Sequence, residues 1–290
     1  MTLLAKDQNG AASPALPIGA LFGAMFSIQY GATLAKDLFP ALGAMGTTSL
    51  RLVVAAVILG ILLRPWRVRP SRRILPALLV YGVVLAGMNL CFYLSLETIP
   101  LGIASALQFI GPLLVATLTS RRAMDFLWIG LAALGIVLMV PPIPTEAPID
   151  LMGVLYALGA GAGWALYIVC GQKAGRELGP ATTAIGMIIA AIVLLPMGVE
   201  HTGTVFGDSW LLFLVVAVGI LSGVIPFTLE MFALTRLPAR AYGTLVSAEP
   251  VIGALLGLAL LHEMLTLPQW AGVIVIAAAV LGTAATAKNP

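Results

Sequence analysis

Ten stretches of about 20 apolar residues, separated by Pro, Gly or charged turns, follow one another along this chain of 290 residues. A bilayer core about 30 Å thick holds no water to satisfy backbone amides, so a span must be a helix or part of a closed barrel. Runs this long and this uniformly apolar select helices, and no alternating barrel pattern competes with them. The windows predict helices at 16–35, 41–63, 74–96, 100–119, 123–140, 151–173, 180–199, 209–234, 238–261 and 267–286. Hydrophobic residues are 60% of the chain and charged ones 9%, which excludes an ordinary soluble domain. The expected fold is an all-α, multi-pass integral membrane protein with ten transmembrane helices.

Basic residues orient those helices. With the N-terminus inside, 13 of the 15 Lys and Arg fall on the cytoplasmic side, among them Lys6, the Arg64 to Arg73 cluster, Arg121, Arg122, Lys173, Arg176, Arg236, Arg240 and Lys288. Lys36 falls outside and Arg51 lies within the second helix. The positive-inside rule therefore predicts that both termini are cytoplasmic. The net charge of +3 sits at helix ends rather than on one face, so no nucleic-acid partner is expected. No cleaved signal peptide is expected, because residues 1–13 lack a strongly basic region before the first apolar run.

An internal repeat organises the chain. The segment from Thr235 through Pro238 to Glu249 and Pro250 is echoed 138 residues earlier by Glu97 through Pro100 to Gly111 and Pro112, with Leu107 and Leu245 in phase. Gly19 and Tyr30 in the first helix recur as Gly153 and Trp164 in the sixth, at the same spacing. Five helices per copy is an odd number, so the second copy must be inserted upside down, as in many secondary transporters. The expected organisation is a cytoplasmic tail (1–15), a five-helix repeat (16–140), a Pro-rich periplasmic linker (141–150), a second five-helix repeat (151–286) and a cytoplasmic tail (287–290).

Ionisable groups at membrane depth are costly and mark a partner, a wet cavity or a function. Glu249 and Arg51 both fall near mid-helix. Facing a central cavity, Arg51 would meet a substrate carboxylate, and Glu249 an ammonium group or a coupling proton; the alternative is a structural ion pair, or separate contacts to backbone carbonyls. Glu230 lies within two turns of Arg236 and Arg240, so a cytoplasmic ion pair is expected for it. Gln29, Tyr30, Asn89, Tyr93, Gln108, Trp164 and Tyr167 are further candidates for lining a cavity, or simply for packing. Pro112 with Gly102 and Gly111, and Pro250 with Gly243, weaken the fourth and ninth helices at matching points and are candidate hinges for alternating access.

Signatures of catalysis are missing. His262-Glu263 lacks the second His of a zinc protease, Gly219 to Gly223 has the wrong spacing for a nucleophile elbow, and no phosphate-binding glycine loop with its Lys occurs. An enzyme, a metal and a cofactor are not expected. Cys91 and Cys170 lie inside predicted helices and read as packing residues. The pairs Gly19/Gly23 and Gly253/Gly257 and the run Gly159, Gly161, Gly163 allow close helix approach, within the bundle or between copies, and leave the oligomeric state open.

The segment from Leu234 to Pro238 through Ser247-Ala-Glu249-Pro250, followed by His262-Glu-Met-Leu-Thr266 and Gln269-Trp270-x-Gly272, resembles the EamA family of the drug/metabolite transporter superfamily. From Ile225 to Glu230 and on to Pro250 it is most similar to the threonine and homoserine exporter branch. The resemblance implies efflux of threonine, homoserine and other neutral or aromatic amino acids across a bacterial inner membrane, by alternating access around a central cavity. It places Arg51 at the helix-two arginine of the family and Glu249-Pro250 at its helix-nine motif. Gly111-Pro112 in the first copy departs from that motif. Two alternatives stay open at this stage: export of drugs or other metabolites on the same fold, and a non-transporting membrane subunit.

Overall fold

The computed structural model describes residues 15–139, 150–260 and 266–286, and every regular element among them is helical. The two chain tails, the linker up to residue 149 and the His262 motif up to residue 265 lie outside the described residues. In chain order the helices are α1 Ala15–Ala35, α2 Phe39–Leu63, α3 Leu75–Ser95, α4 Leu101–Gln108, α5 Ile110–Thr119, α6 Ala123–Met139 and α7 Leu151–Leu178. They continue as α8 Ala181–Val199, α9 Thr202–Gly207, α10 Ser209–Gly219, α11 Ile225–Leu234, α12 Ala239–Leu245, α13 Ala248–Leu260 and α14 Leu267–Thr286.

Seven helical runs have the length and hydropathy of a membrane span, and Ala123–Leu138 and Leu267–Thr283 are shorter apolar helices. The first of the seven, Ala15–Leu63, contains 49 residues. Straight, it would measure roughly 74 Å, more than twice a bilayer core of about 30 Å. It bends instead: Lys36–Leu38 forms a single 3-10 turn, and Gly43 has φ 61° and ψ 176°, a conformation that a side chain would strain. Glu97 braces this bend, its carboxylate accepting the Ala44 N–H at 2.8 Å.

Helices from the two halves alternate in the core. α2 lies along α8 and α6 along α14, α1 packs on α11 while α3 packs on α7, and α4 and α5 cross α13 and α12. In order along each half, second meets second, fourth meets fourth and fifth meets fifth, while first meets third in both directions. At the centre Tyr81 of α3 stacks on Tyr167 of α7, ring centroids 5.1 Å apart, and Phe227 of α11 meets Tyr167 edge to face at 6.0 Å.

Three spans are broken, and proline explains each break. α4 gives way to α5 at Phe109, one turn before Pro112, which has no N–H for the carbonyl of Gln108. The turn at Val246 and Ser247, between α12 and α13, precedes Pro250 in the same way. Between α10 and α11 the backbone makes a π turn, Ile220–Val224, directly before Pro226. Apolar windows register hydropathy and not backbone pairing, so the sequence predicted continuous helices at all three places. α7 also outruns its predicted end at 173, because Lys173 to Leu178 is polar but helix-favouring; Gly179, at φ 56°, stops it.

Candidate substrate cavity

A cavity of about 40 Å³ opens at the centre of the bundle. Leu21, Met25, Met88, Phe92, Trp164 and Phe227 supply apolar wall, and Asn89, Gln108, Glu230 and Glu249 supply the polar groups. α1, α3, α4, α7, α11 and α13 all contribute, so both halves build it.

Glu249 sits in the first turn of α13, where the helix break turns its side chain inward, and it is only 5% exposed. Its Oε1 accepts from Gln29 Nε2 at 3.2 Å and from Gln108 Nε2 at 3.4 Å. Gln29, from behind the wall, also donates to Ser105 Oγ at 2.9 Å, so one amide ties α1 to α4 and α13. Amide donors compensate a buried carboxylate only in part, since neither carries a charge.

Glu230 lines the same cavity, 6% exposed. Its Oε1 accepts from the Tyr242 hydroxyl and from Trp164 Nε1, the latter at 3.4 Å. The expected ion pair with Arg236 and Arg240 is not formed. Six residues at helical pitch turn the side chain by about 600°, which carries Arg236 some 120° away from the face of Glu230, and Arg240 belongs to the next helix, α12, beyond its N-cap Pro238. Arg236 instead stacks on Phe232, with the guanidinium 3.7 Å from the ring centroid, and Arg240 pairs with Asp125 at 3.8 Å. Helical phase was therefore the signal that places Glu230 inside, whereas distance along the chain misled.

Arg51 does not meet Glu249: no ion pair joins them, and Arg51 is not part of the cavity wall. Its guanidinium, 1% exposed, has a separate nest. Nη1 donates to the Ser222 carbonyl and to Ser222 Oγ, both at 3.1 Å, Nη2 donates to Asn89 Oδ1, and the Tyr93 ring lies 4.2 Å from the guanidinium carbon. Pro226 explains the nest. Lacking an N–H, it cannot pair with the carbonyl four residues back, which belongs to Ser222. The π turn likewise sends the Ile225 N–H to Ile220, freeing the Leu221 carbonyl, which takes the Ser27 hydroxyl at 2.6 Å. Two carbonyls released by one backbone defect are thus filled by side chains of α1 and α2. Asn89 joins this nest to the cavity, since it both bonds Arg51 and lines the wall.

Of the other expected residues, Asn89, Gln108 and Trp164 line the cavity and Gln29 supports it. Tyr93 is buried beneath Arg51, and Tyr167 is buried in the aromatic stack, so neither forms wall. Tyr30 points elsewhere, stacking 6.2 Å from Phe26, which is 55% exposed on the outer face.

The glycines near the breaks are contact points between backbones. A Cβ on Gly111 would overlap the Gly161 carbonyl, one on Gly161 would lie 2.6 Å from the Gln108 carbonyl, and one on Gly243 would lie 2.6 Å from the Pro112 carbonyl. Gly102 is looser, its nearest neighbour being Ala254 at 3.8 Å. The broken helices and α7 therefore touch main chain to main chain beside Glu249.

Residues 151–285 match the EamA-like transporter family. Over 274 residues the chain is 49% identical to the threonine/homoserine exporter RhtA of Escherichia coli (strain K12), covering 94% of this chain and 93% of that one. The protein of the same description from Salmonella typhimurium (strain SL1344) shows the same identity, 49%, over the same 274 residues. A solved crystal structure with 20% sequence identity superposes with a TM-score of 0.69, covering 93% of this chain and 96% of that one, and shares its fold.

Proposed function

The chain belongs to the EamA-like transporter family, and from that premise we propose that it exports threonine, homoserine and related neutral amino acids across a bacterial inner membrane. The carrying observation is a central cavity whose largely apolar wall carries two carboxylates and two amides, in a chain 49% identical to threonine/homoserine exporters along nearly its whole length. Glu249 and Glu230 supply its carboxylates, and the Arg51 guanidinium lies behind Asn89 of its wall. A zwitterion fits this polarity, with its ammonium group toward the carboxylates and its carboxylate toward Asn89. Met, Leu and Phe side chains around it receive a small side chain without demanding one hydrogen-bond pattern, which suits several neutral amino acids.

The membrane arrangement belongs to the same proposal. Dividing Ala15–Leu63 at its bend and adding the two shorter apolar helices to the other six runs gives ten crossings. The reciprocal pairing of helices between halves is what a two-fold relation of inverted five-helix repeats, 16–140 and 151–286, would produce. Both termini are assigned to the cytoplasm by the positive-inside rule, and the Arg240–Asp125 pair falls at that end. Alternating access would rock the halves about the crossing of the broken helices, with Pro112 and Pro250 as the weak points and Gly111 and Gly243 keeping the backbones close.

Counterflow in proteoliposomes tests the reading. Vesicles loaded with unlabelled threonine and containing the purified protein should accumulate radiolabelled threonine, in competition with homoserine, with methionine and phenylalanine ranking the side chains. A cationic dye that moves while no amino acid does would overturn it.

A further inference from the structure

We propose that a groove on the outer face, between α2 and α8, seats an acyl chain of one anionic phospholipid, whose phosphate is held by the arginines that follow α2. The inference goes beyond the export reading, since it concerns a second site, remote from the central cavity and facing lipid.

The groove measures about 450 Å³. Ala56, Gly60 and Ala191 are buried in its floor, Val57 and Ile192 stand exposed along its rims, and Trp66 lies at the end nearest the arginines. From Val53 to Ile61 it follows about 12 Å of α2, close to the roughly 15 Å that one leaflet occupies in a bilayer core. The positive-inside assignment makes this the cytoplasmic leaflet. Gly60 leaves the floor open. A Cβ there would meet only Ile188, at 3.9 Å, whereas one on Gly219 would lie 2.7 Å from Val54 of the same α2.

Hydrocarbon in an apolar groove gains nothing over hydrocarbon among other lipid tails, so any selection must act at the headgroup. Five of the ten residues from Arg64 to Arg73 are arginine and none is acidic. Arg64, Arg67, Arg69, Arg72 and Arg73 are all exposed, and among the described residues none of their side chains is held by a hydrogen bond or an ion pair. Glu177 of α7 meets this segment through the Ser71 N–H, at 3.0 Å, and not through an arginine.

The turn after α2 sets these charges over the groove. Arg64 has φ 45° and ψ 58°, left-handed backbone at a position where glycine is usual, and its N–H returns to the Gly60 carbonyl at 3.0 Å. Pro65–Arg67 then forms one 3-10 turn with Pro65 buried, and Val68 packs against the cluster of Ile74, Leu178 and Ala181. Trp66, 67% exposed, is thereby presented between Arg64 and Arg67. An indole suits the boundary between headgroup and chain, and a guanidinium grips a phosphate with paired N–H donors.

Native mass spectrometry tests the site. Delipidated full-length protein in detergent receives equal amounts of dioleoylphosphatidylglycerol and dioleoylphosphatidylcholine, which differ only in the headgroup. The wild-type protein should retain one phosphatidylglycerol, preferred by at least about fivefold, and inorganic phosphate, which has no chain, should not displace it. Gly60→Leu fills the floor and should lose both lipids, with its melting temperature unchanged or raised. Arg64→Gln combined with Arg67→Gln should still bind lipid, with the preference reduced below about twofold. Equal retention of the two lipids by the wild-type protein, displacement by phosphate, undiminished retention in Gly60→Leu, or an unchanged preference in the double variant would overturn the site. A wild-type dimer that Gly60→Leu converts to monomer would overturn it too, by giving the groove to a second copy of the chain.

Discussion

Where Glu249 and Pro250 follow the break between α12 and α13, Gly111 and Pro112 follow the equivalent break between α4 and α5. The prolines act alike in both places, withholding an N–H from the preceding turn. The neighbouring residues do opposite things. Glu249 turns into the cavity and binds two amides from other helices, whereas Gly111 lies against the backbone of Gly161. Both breaks carry a proline, and only the second presents a carboxylate to the cavity. A backbone defect fixes where a polar side chain can be presented, and the residue placed there decides whether the site packs or reacts.

Gly111→Glu breaks this comparison most severely. The new Cβ would overlap the Gly161 carbonyl, a main-chain atom that cannot rotate aside. Overpacking alone costs about 1–3 kcal/mol, and burying an unpaired carboxylate adds more, so the variant should yield no monodisperse protein in detergent size-exclusion chromatography. Arg51→Met compares the nest at the π turn with the cavity. Losing the donor for the Ser222 carbonyl and Asn89 Oδ1 should lower stability by about 1–3 kcal/mol, read as a fall in detergent melting temperature.

Glu249→Gln removes charge and keeps shape. Threonine flux driven by a pH gradient should fall at least about tenfold, equivalent to about 1.4 kcal/mol, with the melting temperature nearly unchanged. Pro250→Ala returns an N–H to the α12–α13 turn. Transport should slow by roughly two- to fivefold while thermal stability holds or rises, if the break serves movement. Asp150→Asn has the smallest effect. This carboxylate caps α7, where the Thr98 side chain and the N–H groups of Met152 and Gly153 hold its pKa below the usual carboxylate value. Its contribution is present above the unfolded-state pKa and is lost as pH falls through the lower folded value. The variant should therefore melt slightly lower at neutral pH and match the parent in strongly acidic buffer.

Helix positions were legible because hydropathy over about 20 residues is a strong signal, and nearly every predicted span has its helix. Pro112 and Pro250 marked the weak points, although hydropathy said nothing of the breaks themselves. Side-chain direction was harder to read. Tyr30 matches Trp164 in sequence spacing yet turns outward to Phe26, because spacing along a helix does not fix which neighbours its face meets. Arg51 and Glu249 look like partners by depth alone, but depth carries no information about azimuth around the bundle. Glu230 could have been placed inside from its helical phase relative to Arg236, and the Ser222 carbonyl could have been marked as needing a donor from Pro226.

Threonine protection of the cavity tests most directly whether substrate binds between the two broken helices. In a background with Cys91 and Cys170 replaced by Ser, Met88→Cys places a thiol on the cavity wall, and Phe26→Cys places one on the outer face. Saturating threonine should slow maleimide labelling at position 88 severalfold, in a concentration-dependent manner, and leave position 26 unaffected. Labelling at position 88 that threonine does not change, in protein that still carries out threonine counterflow, would show that the amino acid binds elsewhere.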